Sequence, residues 1–500
     1  MRKGRHPDAS PTSLSLLRVN SASGGSPSRR EFIRLAGVSA ALASPLGAWA
    51  CRATGQTSAA PTTRGGWDLM PDILRRIVPP TFPARDFDIT RFGAEGGGAK
   101  DNTTAIRAAI DACAAAGGGR VVVPAGRFLT GPVHLKSRVN LHVARGATLA
   151  FSQDPKHYLP AVFTRFEGTE LMNYSPFIYA FDQQDIAITG EGTLDGQSDG
   201  AHWWPWKGSA EFGWTTGAPN YNVARQRLLD MGERGVPVSQ RTFGDGDYIR
   251  PNFIQPYRCK NILIEGVTIV GSPMWEIHPV LCQNVTVRGV TINSHGPNND
   301  GCNPESCRDV LIDRCVFDTG DDCIAIKSGR NGDGRRINVP SENIVVRNCE
   351  MRDGHGGITI GSEISGGCWN VFTHDCRMDS PKLDRALRLK NNAMRGGVLR
   401  DIYMRDVTVG QVADSILSID FFYEEGNKGS FTPVARDIEM RRVTSKKSPY
   451  ALYLRGFPNA PIESIRVIDC KFDNVEKGNV TEYVRGLDVT GTTINGVAAK

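Results

Sequence analysis

A nine-residue unit recurs along the second half of this chain and constrains the fold more than any other feature. Asn261-Ile-Leu-Ile-Glu-Gly-Val-Thr-Ile269 returns as Asn284-Val-Thr-Val-Arg-Gly-Val-Thr-Ile292, as Asp309-Val-Leu-Ile-Asp-Arg-Cys-Val-Phe317 and as Asn343-Ile-Val-Val-Arg-Asn-Cys-Glu-Met351. Further copies start at Asn370, Asp401, Asp437 and Ser464. Within each copy apolar residues alternate, which is the period of a strand and not of a helix. Short strands returning every 20–40 residues mark a solenoid. The expected fold is therefore all-β: a single-domain right-handed parallel β-helix, its coils hydrogen-bonded at ~4.8 Å. The seventh position reads Val267, Val290, Cys315, Cys349, Cys376, Val407, Val443 and Cys470. Cysteine exchanging with valine at one structural position behaves as a small buried hydrophobe, with neither a metal nor a disulfide role.

A solenoid needs its open end covered. Asp101–Ala116 is an Ala-rich amphipathic segment stopped by Gly117-Gly118-Gly119, and it is the expected N-terminal capping helix. Arg120–Phe151 and Asp185–Asp195 read as the first coils. Residues 198–250 interrupt the repeat and hold Trp203, Trp204, Trp206 and Trp214, an insertion of the kind that carries specificity on a rigid scaffold. The β-helix domain is expected over residues 81–497.

The formal charge of +6 suggests a basic protein, but residues 1–50 hold seven basic and two acidic side chains, so residues 51–500 carry only +1. The total is no argument for nucleic acid, and no nucleic-acid partner is expected. Ser28-Arg29-Arg30-Glu31-Phe32-Ile33-Arg34, then the apolar stretch Leu35–Leu46 and Gly47-Ala48-Trp49-Ala50, read as a signal peptide of the twin-arginine type with cleavage after Ala50. The expected partner during secretion is the twin-arginine export machinery, and the expected location is periplasmic or secreted. Cys51 allows a lipoprotein alternative, which Ala48 and Trp49 fit poorly. Residues 51–80 read as linker. Later segments lack the ~18–20 apolar residues of a membrane helix, so no membrane insertion of the mature chain is expected. Fifty-five glycines without a Gly-X-Y period exclude collagen.

Four polar clusters fall at corresponding places in consecutive coils: Asn298-Asn299-Asp300-Gly301, Gly320-Asp321-Asp322-Cys323, Gly354-His355-Gly356 and Arg388-Leu389-Lys390. Asp300 and Asp321 are about one coil apart, so their carboxylates can face each other. Three clustered acids repel, so at least one pKa should rise. A raised carboxyl beside an ionised one is what glycosidic cleavage requires. Arg388 and Lys390 lie at i and i+2 and share a strand face, where they suit a substrate carboxylate. Bland readings stand beside these. Asn-Asp-Gly is a common turn, His355 between glycines can be a turn residue, and Arg388/Lys390 can be a solvated face. Asp321 and Asp322 in an extended strand would face opposite sides unless Gly320 permits a bulge.

On these motifs the chain resembles the polygalacturonases of glycoside hydrolase family 28, over roughly residues 85–475. Asn298-Asn299-Asp300 is similar to the family's Asn-Thr-Asp with Asn for Thr, Gly320–Asp322 to Gly-Asp-Asp, 354–356 to Gly-His-Gly, and Arg388-Leu389-Lys390 to Arg-Ile-Lys. Glu191-Gly-Thr-Leu-Asp-Gly196 resembles its Gly-Thr-Ile-Asp-Gly. The resemblance implies a pectin-lyase-like solenoid that hydrolyses α-1,4-galacturonosyl linkages with inversion, without a cofactor or metal. It implies Asp321 as general acid, Asp300 and Asp322 as the groups holding water, and His355 as support for the acid. Asn298, Arg388 and Lys390 would contact a pectic polysaccharide or oligogalacturonate. Lys390-Asn391-Asn392 departs from the family's Lys-Thr, which bears on the neighbouring subsite. The Trp-rich insertion and Phe421-Phe422-Tyr423-Glu424-Glu425 look like bacterial exo-acting members. The rival readings are a Ca²⁺-dependent polysaccharide lyase, a non-catalytic glycan-binding β-helix and, within hydrolases, action on a substituted pectin such as rhamnogalacturonan.

Overall fold

The structure is a computed structural model that describes residues 65–500. The stretch read as a signal peptide, and Cys51, lie outside the described residues. Three parallel strand faces wind from Asp86 to the C-terminus. Among the described residues the first and second faces are 13-stranded sheets, and the third is a three-stranded sheet followed by a six-stranded one. Single bridges through Ile277, Cys302, Val280 and Glu305 join the last two. Every strand pair of the described coils is parallel except the closing pair Thr493–Ile494 with Val497–Ala498 and one hairpin off the solenoid; a single antiparallel bridge, Phe457 with Ala460, closes a turn. The β-helix is right-handed, as parallel crossovers require.

The repeat is legible in the backbone. Each nine-residue unit supplies a strand of the first face, a corner and the next strand, as in Lys260–Glu265 and Thr268–Val270. The first and sixth residues of all the copies adopt the left-handed conformation, from Asn261 at φ 56° and Gly266 at 80° to Ser464 at 55° and Asp469 at 53°. This is why Asn, Asp and Gly recur there: they tolerate αL at little cost. The first residues also form a ladder, with Asn284 donating to Asn261 Oδ1 at 2.8 Å and Asn370 to Asn343 Oδ1 at 3.0 Å. The seventh-position valines and cysteines are all buried, and every cysteine of residues 65–500 is a free thiol.

The cap is a helix at Thr103–Ala115 that buries Ile106, Ala109, Ile110 and Cys113. Its N-terminus is closed by Asp101, which accepts from Thr103 N at 2.9 Å. Gly118 past its end lies at φ 109°, and a Cβ there would sit 2.5 Å from the Arg138 carbonyl oxygen.

Residues 66–76, inside the stretch read as linker, are ordered: a 3₁₀ turn over Gly66–Leu69 runs into a helix at Met70–Arg76. The reason lies on the first face. Leu311, Val345, Phe372 and Tyr403 stack in register on its outer side, an apolar stripe that would otherwise meet water. Ile73, Ile77, Leu74 and Trp67 cover it. This strap is pinned by Trp67 Nε1 to Glu439 (3.1 Å), Arg76 to Asp309 (2.7 Å) and Val78 N to Asn284 Oδ1 (3.0 Å).

Two elements depart from the coils on the third face. An antiparallel hairpin, Val162–Phe166 with Thr169–Asn173, occupies a stretch with no sequence assignment. The 198–250 insertion forms 3₁₀ turns and a helix at Asn222–Glu233. They pack on each other and on Trp275 through Phe166, Leu171, Tyr221 and Leu228.

Candidate active site

The four clusters all sit in the turns and strand edge of the third face. Asp321 and Asp322 lie between Val316–Thr319 and Ile324–Ile326, in the corner between second and third faces, so strand alternation does not apply and both carboxylates enter the cleft. Oxygens of Asp300, Asp321 and Asp322 approach within 4.8 Å of one another. Gly320 makes room, since a Cβ there would lie 2.6 Å from the Gly296 carbonyl oxygen. Around His355, a Cβ on Gly354 would meet Asp321 O at 2.5 Å and one on Gly356 would meet Thr359 Oγ1 at 2.2 Å. The glycines of these motifs are spacing, not turn decoration.

Each carboxylate has a different environment. Asp300 is buried, accepts from Asn303 Nδ2 at 2.7 Å and lies 3.6 Å from Lys327 Nζ. Burial first, then the charge of Asp321, pushes its pKa well above the carboxylate range. Asp322 is also buried, yet Lys390 at 2.7 Å and Arg388 at 3.5 Å outweigh the burial and hold its pKa low. Its Oδ1 accepts from Thr359 Oγ1 at 2.8 Å. Asp321 is the most open of the three, with a fifth of its side chain exposed; Oδ1 accepts from His355 Nδ1 at 3.1 Å. Burial pushes Asp321 up, but the bond and charge of His355, with Lys390 and Lys327, bring it below the usual range. The same hydrogen bond raises His355 to about 9. One of the clustered acids is raised, and it is Asp300, by burial more than by repulsion. At neutral pH the proton beside Asp321 is stored on the imidazole.

Asn298 takes Lys207 Nζ at 3.0 Å and Arg250 Nη2 at 2.9 Å on its Oδ1, which turns its amide nitrogen to the cleft. Asn299, standing for Thr in the motif, points inward. It accepts from Ser294 Oγ and Gly296 N and donates to the Ser272 and Met274 carbonyls, fixing the turn. Arg388 and Lys390 share one face of the strand Arg385–Lys390, as their spacing requires, and Tyr423 lies under both cations.

Sequence reasoning missed the layer behind these groups. Lys327 is buried between Asp300 and Glu363 (3.0 Å) and sits 4.3 Å from the Trp275 ring centre. Arg330 bridges Glu363 (3.3 Å), Glu424 (3.4 Å) and Glu167 of the hairpin (3.5 Å). A lysine ending the buried run Cys323-Ile-Ala-Ile was the available signal. Two pockets meet at Lys390 and Tyr423. One, about 200 Å³, contains the three aspartates and is bounded by the hairpin and the insertion; the other, about 460 Å³, continues past Arg388 to Tyr450, Tyr453 and Lys477. The aspartates have the oxygen spacing of a cation site, but the ammonium groups of Lys327 and Lys390 already supply positive charge there. A second set, His295, Asp318 and Asp353, lies at the surface with His295 Nε2 2.8 Å from Asp318.

A parallel β-helix presenting three graded carboxylates and a His–Asp pair to a polar groove defines an enzyme of the glycoside hydrolase class. The chain belongs to glycosyl hydrolases family 28, which residues 239–493 match. It is 30% identical over 403 residues to a probable polygalacturonase of Vitis vinifera, covering 76% of this chain and 73% of the relative. It is 28% identical to an exo-poly-alpha-D-galacturonosidase of Dickeya chrysanthemi, over 68% of this chain and 58% of that protein. Among solved structures, the hyperthermoactive exopolygalacturonase of Thermotoga maritima superposes with a TM-score of 0.83 at 44% identity, over 85% of this chain and 95% of that one.

Proposed function

We propose that the protein hydrolyses α-1,4-galacturonosyl linkages of polygalacturonate or its oligomers, from the chain end and with inversion. The observation that carries this reading is the cluster of Asp300, Asp321 and Asp322, backed by Lys327 and Lys390 and bordered by Arg388. Likeness to exo-acting galacturonide hydrolases supports the substrate class.

In this mechanism Asp321 protonates the leaving oxygen, drawing on the proton that His355 holds at 3.1 Å. Asp300 and Asp322 hold the attacking water. Carboxyl groups this close resemble the spacing of retaining enzymes more than the ~6.5–9.5 Å of inverting ones. Inversion is favoured because Thr359, Arg388 and Lys390 hold both oxygens of Asp322, which makes it a poor nucleophile while a further lone pair can still accept from water. Asp300 is tied through Oδ2 alone, by Asn303 and Lys327, and leaves Oδ1 for the same water. Asn298 and the Arg388/Lys390 pair contact substrate. The pocket of about 200 Å³ ends at the hairpin and insertion, which suits one terminal sugar. The chain is proposed to be exported by the twin-arginine route, and its buried free thiols suit folding before it meets an oxidising compartment.

A timed product profile on polygalacturonate tests the reading. Galacturonate alone from the first minutes is expected, with the anomer formed read by NMR. A spread of oligomers would exclude exo-cleavage. A UV-absorbing unsaturated product lost on chelation would establish the lyase instead.

A further inference from the structure

The insertion's tryptophans anchor a short turn, and that turn presents one cation to the site. Trp203 is buried in the core of the solenoid, Trp204 Nε1 donates to the Ser272 carbonyl at 2.8 Å, and Trp206 packs on Trp203 and Tyr248. The turn Trp204–Lys207 is thereby fixed, and Lys207 Nζ reaches the 200 Å³ pocket.

Among the described residues Lys207 differs from every other cation of that pocket. Arg225 is paired with Glu167 at 2.7 Å, Lys327 with Glu363 at 3.0 Å, Arg330 with Glu363 at 3.3 Å and Lys390 with Asp322 at 2.7 Å. Lys207 hydrogen-bonds only neutral acceptors, Tyr221 Oη and Asn298 Oδ1, each at 3.0 Å, and sits 5.4 Å from the Tyr221 ring centre; its charge reaches Glu167 without a direct contact. Its third proton has no acceptor among these contacts. The other four cations of the lining are each committed to a carboxylate, so a galacturonate entering the pocket needs a cation that still has a donor to give.

From this we infer that Lys207 is the specificity residue for the terminal sugar: its ammonium group takes the C6 carboxylate of the galacturonate in the closed pocket, while Arg388 serves the sugar across the scissile bond. The inference rests on the exo-hydrolase reading above. A charge-assisted hydrogen bond in a half-buried site is worth roughly a 10- to 100-fold preference for the acid over a neutral sugar.

The test compares wild type, Lys207→Met and Lys207→Arg on a galacturonide dimer and on the same dimer methyl-esterified at its terminal sugar. Binding of free galacturonate and galactose is measured by calorimetry on the same proteins. Wild type should favour the acid, Lys207→Met should lose that preference mainly through KM, and Lys207→Arg should restore part of it. Equal losses of Lys207→Met on both dimers, or an unchanged preference in a folded variant, would overturn the inference and leave Lys207 a tie between insertion and Asn298. Should wild type release no galacturonate, the hydrolase reading fails, and the calorimetric preference for galacturonate over galactose still decides the role of Lys207.

Discussion

Replacing Lys327 by Met removes the one cation among the described residues within 4 Å of Asp300, while nearly keeping the volume between Trp275 and Glu363. At 3.6 Å and an effective dielectric constant of about 20, the lost attraction is roughly 4.6 kcal/mol. Lys390, which also acts on Asp300, and water entering the gap reduce this, but the direction stands: the Asp300 carboxyl rises further. If Asp300 must be ionised to hold and activate water, the acid limb of kcat/KM moves to higher pH in Lys327→Met, and the plateau falls. The stability effect has a definite sign. Asp300 is already raised above its unfolded value, so its protonated form favours the fold, and that contribution disappears as pH rises through the folded pKa. The variant should therefore lose more Tm at pH 8 than at pH 4. Glu363 loses its strongest partner in the variant and keeps Arg330 at 3.3 Å. The assay is a pH–rate profile on a soluble oligogalacturonide, with calorimetric Tm at both pH values. A folded variant with an unmoved acid limb would refute the role given to Asp300.

Further outcomes follow from the same geometry. His355, raised to about 9 by Asp321, keeps its proton at neutral pH and releases it as pH rises through that value, so kcat/KM should fall above pH 9. His355→Gln should remove that limb and lower kcat by about 10²–10⁴-fold. Asp321→Asn should lose activity to a comparable or larger extent while circular dichroism and Tm stay near wild type; retained turnover would rule it out as the acid. Gly356→Ala forces a Cβ to within 2.2 Å of Thr359 Oγ1 beside Asp322, and should cost roughly 1–3 kcal/mol in denaturant titration together with most activity. Ile73→Ala opens the strap over the first face and should cost roughly 2–5 kcal/mol with kcat unchanged, as read by urea unfolding and initial rates.

The coils were readable in the sequence because each copy repeats the same two αL corners and the same inward seventh position. Residues such as Asn261, Gly266 and Val267 report a local conformation that any copy displays alone. The acidic cluster was readable for a related reason: corresponding places in consecutive coils are neighbours in space. What stayed hidden depends on side-chain partners that no local pattern specifies. Lys327 and Glu363 are 36 residues apart and meet only because a particular coil length brings them together. Arg330 gathers acids from the hairpin and from Glu424, on separate excursions of the chain. The strap was read as linker because the reason for its order is carried by Leu311, Val345, Phe372 and Tyr403, one residue in each of four strands.

The strap also sets an order of assembly. Its contacts run from Glu439 near Trp67 back to Asn284 near Val78, crossing six consecutive coils, or about 24 Å at ~4.8 Å per coil. In a solenoid each coil otherwise stabilises only its neighbours, and coils can form one after another as the chain leaves the ribosome. Residues 66–77 are made before any coil, yet their docking surface is incomplete until residue 439 has been added. A segment that precedes the coils in synthesis is thus among the last to settle, and its docking ties the middle coils into one cooperative unit.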